Sequence, residues 1–442
     1  MPKDGAAKTW VGGVMTALKL KQHWDDYQQL SQEEGRIALD DTLAHVSAPN
    51  MGQLDTDIPA ARPKRKRPAG CCSCCGTRCG LFWKAFGIVA GLLTLWNIGR
   101  LIIWILTPAP TGLENMPAYS TSLGCMAPAA NILYNSTSKL TYTLPLTLDH
   151  EHTLDIRGAA VGTILLAPSA HPTDLTYEIS IRTDDAAVFD FVEIGSADNG
   201  GTFTLKSPII PLMHPEHRHA CMRYDMTVFL PQSLRDLEIK TSAPAHVKFA
   251  DVPEVASLDS LKVALRSMAA AAGDNLLLPN TQIQAKEYAL EVFSGWLVGD
   301  VPIVEKTTLR SDRGDGVVNA RVHPVAVPAD EDEDDDDDDF PKMPAAKLST
   351  YTGHGRTDIT YLHGPVHRPI HSTHKSQSNG DMYLTYKNSG FNGQIDLKAK
   401  TYTMRNVQGG MGKDNSDRWV GDKDGEDRLV VKSNLGWVGL YF

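Results

Sequence analysis

Residues 384–397 read LTYKNSGFNGQIDL. Leu384 and Tyr386 alternate with polar neighbours, Asn388-Ser389-Gly390 supplies turn chemistry, and Ile395 and Leu397 alternate again. A period of two puts one set of side chains on a single face of a strand, while Asn, Ser and Gly fit the reversal between strands. The same unit recurs upstream. Leu154-x-Ile156 and Gly158 precede Ile164-x-Leu166; Leu237-x-Ile239-x-Thr241 precedes Val247-x-Phe249; Leu290-x-Val292-x-Ser294-Gly295 precedes Val301-x-Ile303. Units of this size bury little alone, and stacking them makes a continuous apolar ladder. The pattern predicts a mainly β, solenoid-like domain over residues 151–442, with a β-sandwich of similar hairpins as the alternative.

The unit L-x-[IVY]-x-[TSN]-x-G, followed by a second short apolar alternation, resembles the putative-adhesin family of β-solenoid domains. That family is known from bacteria and from fungal single-pass membrane proteins. Leu384 to Gly390 fits the pattern in full, and the likeness extends over roughly residues 150–440. The resemblance implies a right-handed β-solenoid, no known catalysis, and a role in adhesion or binding.

Further strands are expected at Leu175, Tyr177, Ile179 and Ile181, and at Tyr224, Met226, Val228 and Leu230. Leu258, Leu261, Leu265 and Met268 fit a helix, yet Leu261, Val263 and Leu265 also alternate. Asp330 to Asp339 is an unbroken acidic run, DEDEDDDDDD. Self-repulsion predicts a disordered loop over 329–344, thrown out between stacked units rather than linking two domains. The chain's closing residues, Trp437 to Phe442, are apolar and suited to docking as a last strand.

Working towards the N-terminus, residues 85–106 read AFGIVAGLLTLWNIGRLIIWIL. At about 1.5 Å per residue this spans roughly 33 Å, enough to cross a hydrocarbon core. Arg100 is its only charge and lies near one end, where its side chain can snorkel. Trp83 and Trp104 stand near the two ends, as interfacial rings do. Arg62, Lys64, Arg65, Lys66, Arg67, Arg78 and Lys84 precede the span, and no Lys or Arg occurs from Thr107 to Asn135. That asymmetry predicts a single-pass protein with a cytosolic N-terminus and a lumenal or extracellular C-terminal part.

The resulting divisions are a cytosolic tail (1–84), a transmembrane helix (85–106), a lumenal stalk (107–150) and the β-rich ectodomain (151–442). In the tail, Trp10, Val14, Ala17, Leu20 and Trp24 share a helical face, and Ser31 with Glu34 forms a capping box. Residues 47–80 read as disordered. Cys71, Cys72, Cys74, Cys75 and Cys79 crowd the basic flank and resemble acylation sites. Free thiols and a metal site are the rival readings there; the overlapping CxxC pairs disfavour zinc. Cys125 and Cys221 lie beyond the span and form a candidate disulfide, with two free thiols as the alternative. Asn135-Ser136-Thr137 is the chain's single glycosylation sequon.

Chemistry-bearing patterns are sparse. Lys plus Arg number 43 and Asp plus Glu 53, for a net charge of −10 that equals the acidic run. Without a basic excess, nucleic acid is an unsuitable partner. His214, His217 and His219 cluster, as do His363, His367, His371 and His374, but Pro215, Pro365 and Pro369 break the helical spacing that would converge them. They read as exposed loop histidines, and no metal or cofactor is predicted. The acidic run lacks the spacing and glycine of a calcium loop. No G-x-S-x-G, phosphate loop or G-x-G-x-x-G occurs. The expected function is a non-catalytic β-rich module with membrane lipid, and a protein or glycan ligand, as partners. The alternative is a type II Golgi glycosyltransferase-like enzyme, for which Asp422-x-Asp424 would be the metal-site pair.

Overall fold

The structure is a computed structural model. It describes residues 79–106, 111–124, 132–169, 171–197, 200–209, 220–267, 275–313, 316–325, 343–364, 368–409 and 418–442. The cytosolic-tail elements, Cys71, Cys72, Cys74, Cys75, Cys125, the acidic run and the cluster His214, His217 and His219 lie outside the described residues. The chain divides between Pro110 and Thr111 into two units, each taken by itself.

The first unit is described as one helix, Cys79–Leu106. It begins six residues before the apolar run, so Cys79 opens the helix. Trp83–Ile103 is long and apolar enough to cross a membrane. Leu92, Leu93, Leu95 and Trp96 are exposed around the helix, whereas Ala85 and Val89, one turn apart, are buried. The two central polar residues satisfy themselves within the helix. The Thr94 hydroxyl donates to the Ala90 carbonyl and the Asn97 amide to that of Leu93, each at 2.8 Å. Internal satisfaction of polar groups is what a lipid environment requires.

The second unit is mainly β. Two thirteen-stranded sheets make it up. Ten times among the described residues, a strand of one sheet, hereafter the second, is followed along the chain by a strand of the other, the first. Glu151–Arg157 leads to Val161–Pro168 in this way, and Ile283–Val292 leads to Gly295–Ile303. These ten strands of each sheet run parallel and stand in the same order in both. The segment Ala256–Leu265 is a strand, which decides the helix-or-strand ambiguity there.

Parallel register stacks like positions into columns. In the second sheet Leu154, Ile239, Val263, Leu290, Leu309, Thr350, His374, Val431 and Leu397 follow one another across nine strands. In the first, Ile164, Val247, Leu277, Leu297, Val318, Thr357, Met382 and Val438 do the same. All point inward and are buried, so the core is a ladder between the sheets.

The turns stack too. Gly295, Gly316, Gly355, Gly380 and Gly436 sit at successive turns beneath Asn275. A Cβ on Gly355 would overlap the Gly316 carbonyl, and one on Gly436 the Gly380 carbonyl. Gly295 also has a φ of +131°, a conformation that side chains avoid. Both ends of the stack change to antiparallel pairing. Asp174–Thr183 runs against Met222–Leu230 and Leu140–Pro145, and Arg418–Val420 against Gly393–Lys398. Altered pairing at the ends covers what would otherwise be open edges.

Three expectations need correction. The units at Leu154, Leu237 and Leu290 pass from the second sheet to the first, but the unit at Leu384 passes from the first to the second. Alternation looks the same in either sheet, so the apolar spacing alone does not tell which sheet a unit starts from. Trp437–Tyr441 is also not the last strand. It inserts between Asp381–Thr385 and Thr401–Arg405, as Asp427–Ser433 inserts between Ile370–Ser376 and Gly393–Lys398. Buried Asp427 pins this inversion, accepting from the Ile370 and Asn392 backbone N–H groups at 2.7 and 2.5 Å. Finally, residues 111–124, expected within a stalk, lie along the outer face of the first sheet. Trp296 donates to the Gly112 carbonyl at 3.2 Å, Arg223 to the Ser120 carbonyl at 2.9 Å, and Leu123 is buried beside Val161.

Candidate functional site

The residues singled out from the sequence do not converge. Asn135 is exposed, in a left-handed turn with φ of 51°. Cys221 is disulfide-bonded and packs against Leu123 and Val161. Asp422 and Asp424 stand in an exposed turn between Arg418–Val420 and Asp427–Ser433, where the Asp424 N–H donates to the Asp422 carboxylate at 3.1 Å. That turn joins two β-strands, so the pair lacks the α/β setting of a nucleotide-sugar site. No metal-binding group of three His, Cys, Asp or Glu residues forms among the described residues.

His374 departs from the loop reading most sharply. It is fully buried in the core ladder, with Nδ1 2.8 Å from the Thr350 hydroxyl and Nε2 2.7 Å from the Tyr386 hydroxyl. Pro365 and Pro369 precede a strand, Ile370–Ser376, whose alternation carries His374 inward and leaves His371 outward. A matching pair stands near the other end of the stack. There His152 Nε2 lies 2.5 Å from the Tyr177 hydroxyl and Nδ1 lies 2.9 Å from the Gly200 carbonyl. Burial pushes His152 down to about 4 and His374 down to about 3, so both are neutral at pH 7.

Among the described residues, the outward face of the second sheet carries a continuous charge pattern. One outward column runs Asp155, Lys240, Ala264, Glu291, Arg310, Tyr351, Lys375, Lys432, Lys398. Over its earlier strands the charges are paired. Glu238 bridges Lys240 at 2.6 Å and Lys262 at 3.0 Å, and Glu291 meets Arg310 at 3.7 Å. Those bonds outweigh the effect of burial and hold Glu238 below the usual carboxylate range.

Over the last strands the pairing stops. Lys375, Lys432 and Lys398 are direct neighbours in register, on strands about 4.8 Å apart. Only Lys398 has a carboxylate near it, Asp396 at 3.6 Å; Lys375 and Lys432 form no ion pair among the described residues. Lys375 lies over the Tyr351 ring, 5.4 Å from its centroid. Where the column meets the turn, Lys398, Lys400, Lys432, Ser433 and Asn434 line an open depression of about 390 Å³. This lysine column is the candidate site, and the sequence reading missed it. The signal was a small recurrent pattern, an inward residue, then Lys, then a small residue: His374-Lys375-Ser376, Leu397-Lys398-Ala399 and Val431-Lys432-Ser433. Its meaning depends on long-range register, which no local pattern carries.

No family model matches the chain, and no curated protein matches it. Among solved structures, one described as a putative cell adhesion protein from Clostridium sporogenes aligns at a TM-score of 0.23 and 7% identity, over 69% of this chain and 99% of that one. One described as a putative adhesin from Parabacteroides merdae aligns at 0.23 and 9%, over 56% and 93%. A putative lipid binding protein from Parabacteroides distasonis aligns at 0.20 and 11%, over 56% and 94%. Scores this low carry no argument about fold or ligand.

Proposed function

We propose that the chain is a single-pass membrane protein whose β unit is one stacked coil, a β-solenoid, acting as a non-catalytic binding module. The observation that carries the membrane reading is the helix Cys79–Leu106, with apolar side chains exposed around it and Thr94 and Asn97 bonded internally. Parallel pairing in one common order supports the coil over the sandwich, since sandwiches are built from antiparallel sheets. The acidic run is read as an insertion between turns of the coil. Lys306–Ser311 pairs with Ala346–Thr352, and Val317–Pro324 with Arg356–Tyr361, directly across it.

In this reading the N-terminus is cytosolic and the β unit lumenal or extracellular. Cys71, Cys72, Cys74, Cys75 and Cys79 are acylated, and Asn135 carries glycan. Cys125 pairs with Cys221, supported by Leu123 packing beside Cys221 just two residues before Cys125. Extraction of membranes with alkaline carbonate tests the anchor. The chain should stay in the pellet and leave it only with detergent, and release by carbonate alone would refute single-pass insertion. Protease added to sealed vesicles from the cytosolic side should remove the tail and spare the β unit.

A further inference from the structure

We infer that the outward face of the second sheet, at Lys375, Lys432, Lys398 and Lys400, binds an extended anionic glycan. The inference rests on the binding-module reading and names that module's ligand class.

The first support is energetic. Like charges directly opposite on neighbouring strands destabilise a sheet. The earlier strands of this same face avoid the cost by pairing Lys240, Lys262 and Arg310 with Glu238 and Glu291. The last strands place three lysines side by side, and among the described residues Asp396 is the one carboxylate paired with any of them. Beyond Ile395 the strand Gly393–Lys398 has no partner on its far side among the described residues, and lysine at such an open stretch guards against aggregation, which accounts for Lys398. It does not account for Lys375 and Lys432, whose strands are paired on both sides.

The second support is shape and chemistry. The lysines stand in register on successive strands whose backbones lie about 4.8 Å apart, in a line crossing the strands. A linear chain with charges spread along its length meets them in succession. Asn434, exposed beside Lys432, donates its amide to the Gln377 carbonyl at 2.8 Å and keeps its side-chain oxygen as an acceptor for hydroxyl groups. Lysine gives point charges without the planar fork of arginine, and Tyr351 is a single ring, not a row on which bases stack. Among the described residues of this face, the exposed large apolar side chain at its margin is Leu435, too little to enter a bilayer.

The test uses the full chain in nanodiscs of neutral lipid, with polygalacturonate as probe and neutral dextran as control. Binding to polygalacturonate at low ionic strength should weaken steadily as salt rises. The pair Lys375→Gln and Lys432→Gln should raise the Kd about tenfold, with the far-ultraviolet circular dichroism unchanged. Lys262→Gln, on the paired part of the face, should leave the Kd within about twofold. No binding by the native chain, or equal losses in both variants, would overturn the inference. So would tighter binding to phosphatidylserine vesicles than to polygalacturonate. Binding that appears only after residues 330–339 are replaced by Asn and Gln would overturn it as well, giving the face to the chain's own acidic run. Any of these failures in a chain that still resists carbonate extraction would leave the anchored-module reading standing.

Discussion

Arg368 is buried and donates to the Pro344 carbonyl at 2.9 and 3.0 Å and to the Val325 carbonyl at 2.5 Å. Those carbonyls flank the acidic insertion, so one guanidinium ties its two roots together. Burial lowers the Arg368 pKa, yet backbone carbonyls occupy its donors. Arg368→Met keeps the bulk and strands the carbonyls. Bonds from a charged donor contribute roughly 1.5–3 kcal/mol each, so a loss of about 3 kcal/mol in denaturant unfolding is expected. The buried histidines make a second residue-scale prediction. His152 and His374 titrate at about 4 and about 3 when folded and near 6.5 when unfolded. The unfolded chain therefore binds more protons below 6.5, and stability is full above that value and lost as pH falls through the window. Each histidine contributes a slope of up to about 1.4 kcal/mol per pH unit there. Unfolding midpoints should stay nearly level from pH 7.5 to about 6.5 and fall steadily from there to pH 5, and His374→Gln should lessen the slope.

At the scale of elements, the glycine column limits what the turns tolerate. Gly355→Ala would press a methyl onto the Gly316 carbonyl, and overpacking of this kind costs about 1–3 kcal/mol. Gly195, in the strand Glu193–Ala197, has nothing within 4 Å of where a Cβ would stand. Gly195→Ala should be neutral or stabilise by up to about 1 kcal/mol. Thermal unfolding of the two variants separates a stacked turn from an ordinary strand. The inward columns of the strands explain which elements were legible beforehand. Leu154, Leu237 and Leu290 announce their strands because their inward positions are apolar. Between residues 346 and 376 the inward positions include Thr350, Thr352, Ser372, His374 and Ser376, so hydrophobic alternation fades although the strands persist. Most of these groups are bonded locally, as when Ser376 donates to the Gly380 carbonyl at 2.9 Å and the Thr350 hydroxyl meets His374 at 2.8 Å, whereas the buried Ser372 hydroxyl finds no partner among the described residues.

For the whole molecule, the strand-rich class and the apolar span could be read from periodicity and length. The lysine column and the inverted last strands could not. Both depend on which strands lie side by side, and Asp427 and Trp437 enforce that choice across fifty or so residues of chain. The central claim is that the stack runs unbroken past the acidic insertion. Thr308 and Ser349 point outward from Lys306–Ser311 and Ala346–Thr352 and are partners in register. Thr373 lies one strand further on, opposite Ser349. Neighbouring strands are about 4.8 Å apart, within disulfide reach, whereas a two-strand gap of roughly 9.6 Å is beyond it. The decisive measurement is oxidative crosslinking of the full chain, mapped by mass spectrometry, in the double variants Thr308→Cys with Ser349→Cys and Thr308→Cys with Thr373→Cys. A continuous stack predicts a disulfide in the first and none in the second. No crosslink in the first, with the β signature intact, would contradict it and divide the unit in two at the acidic run.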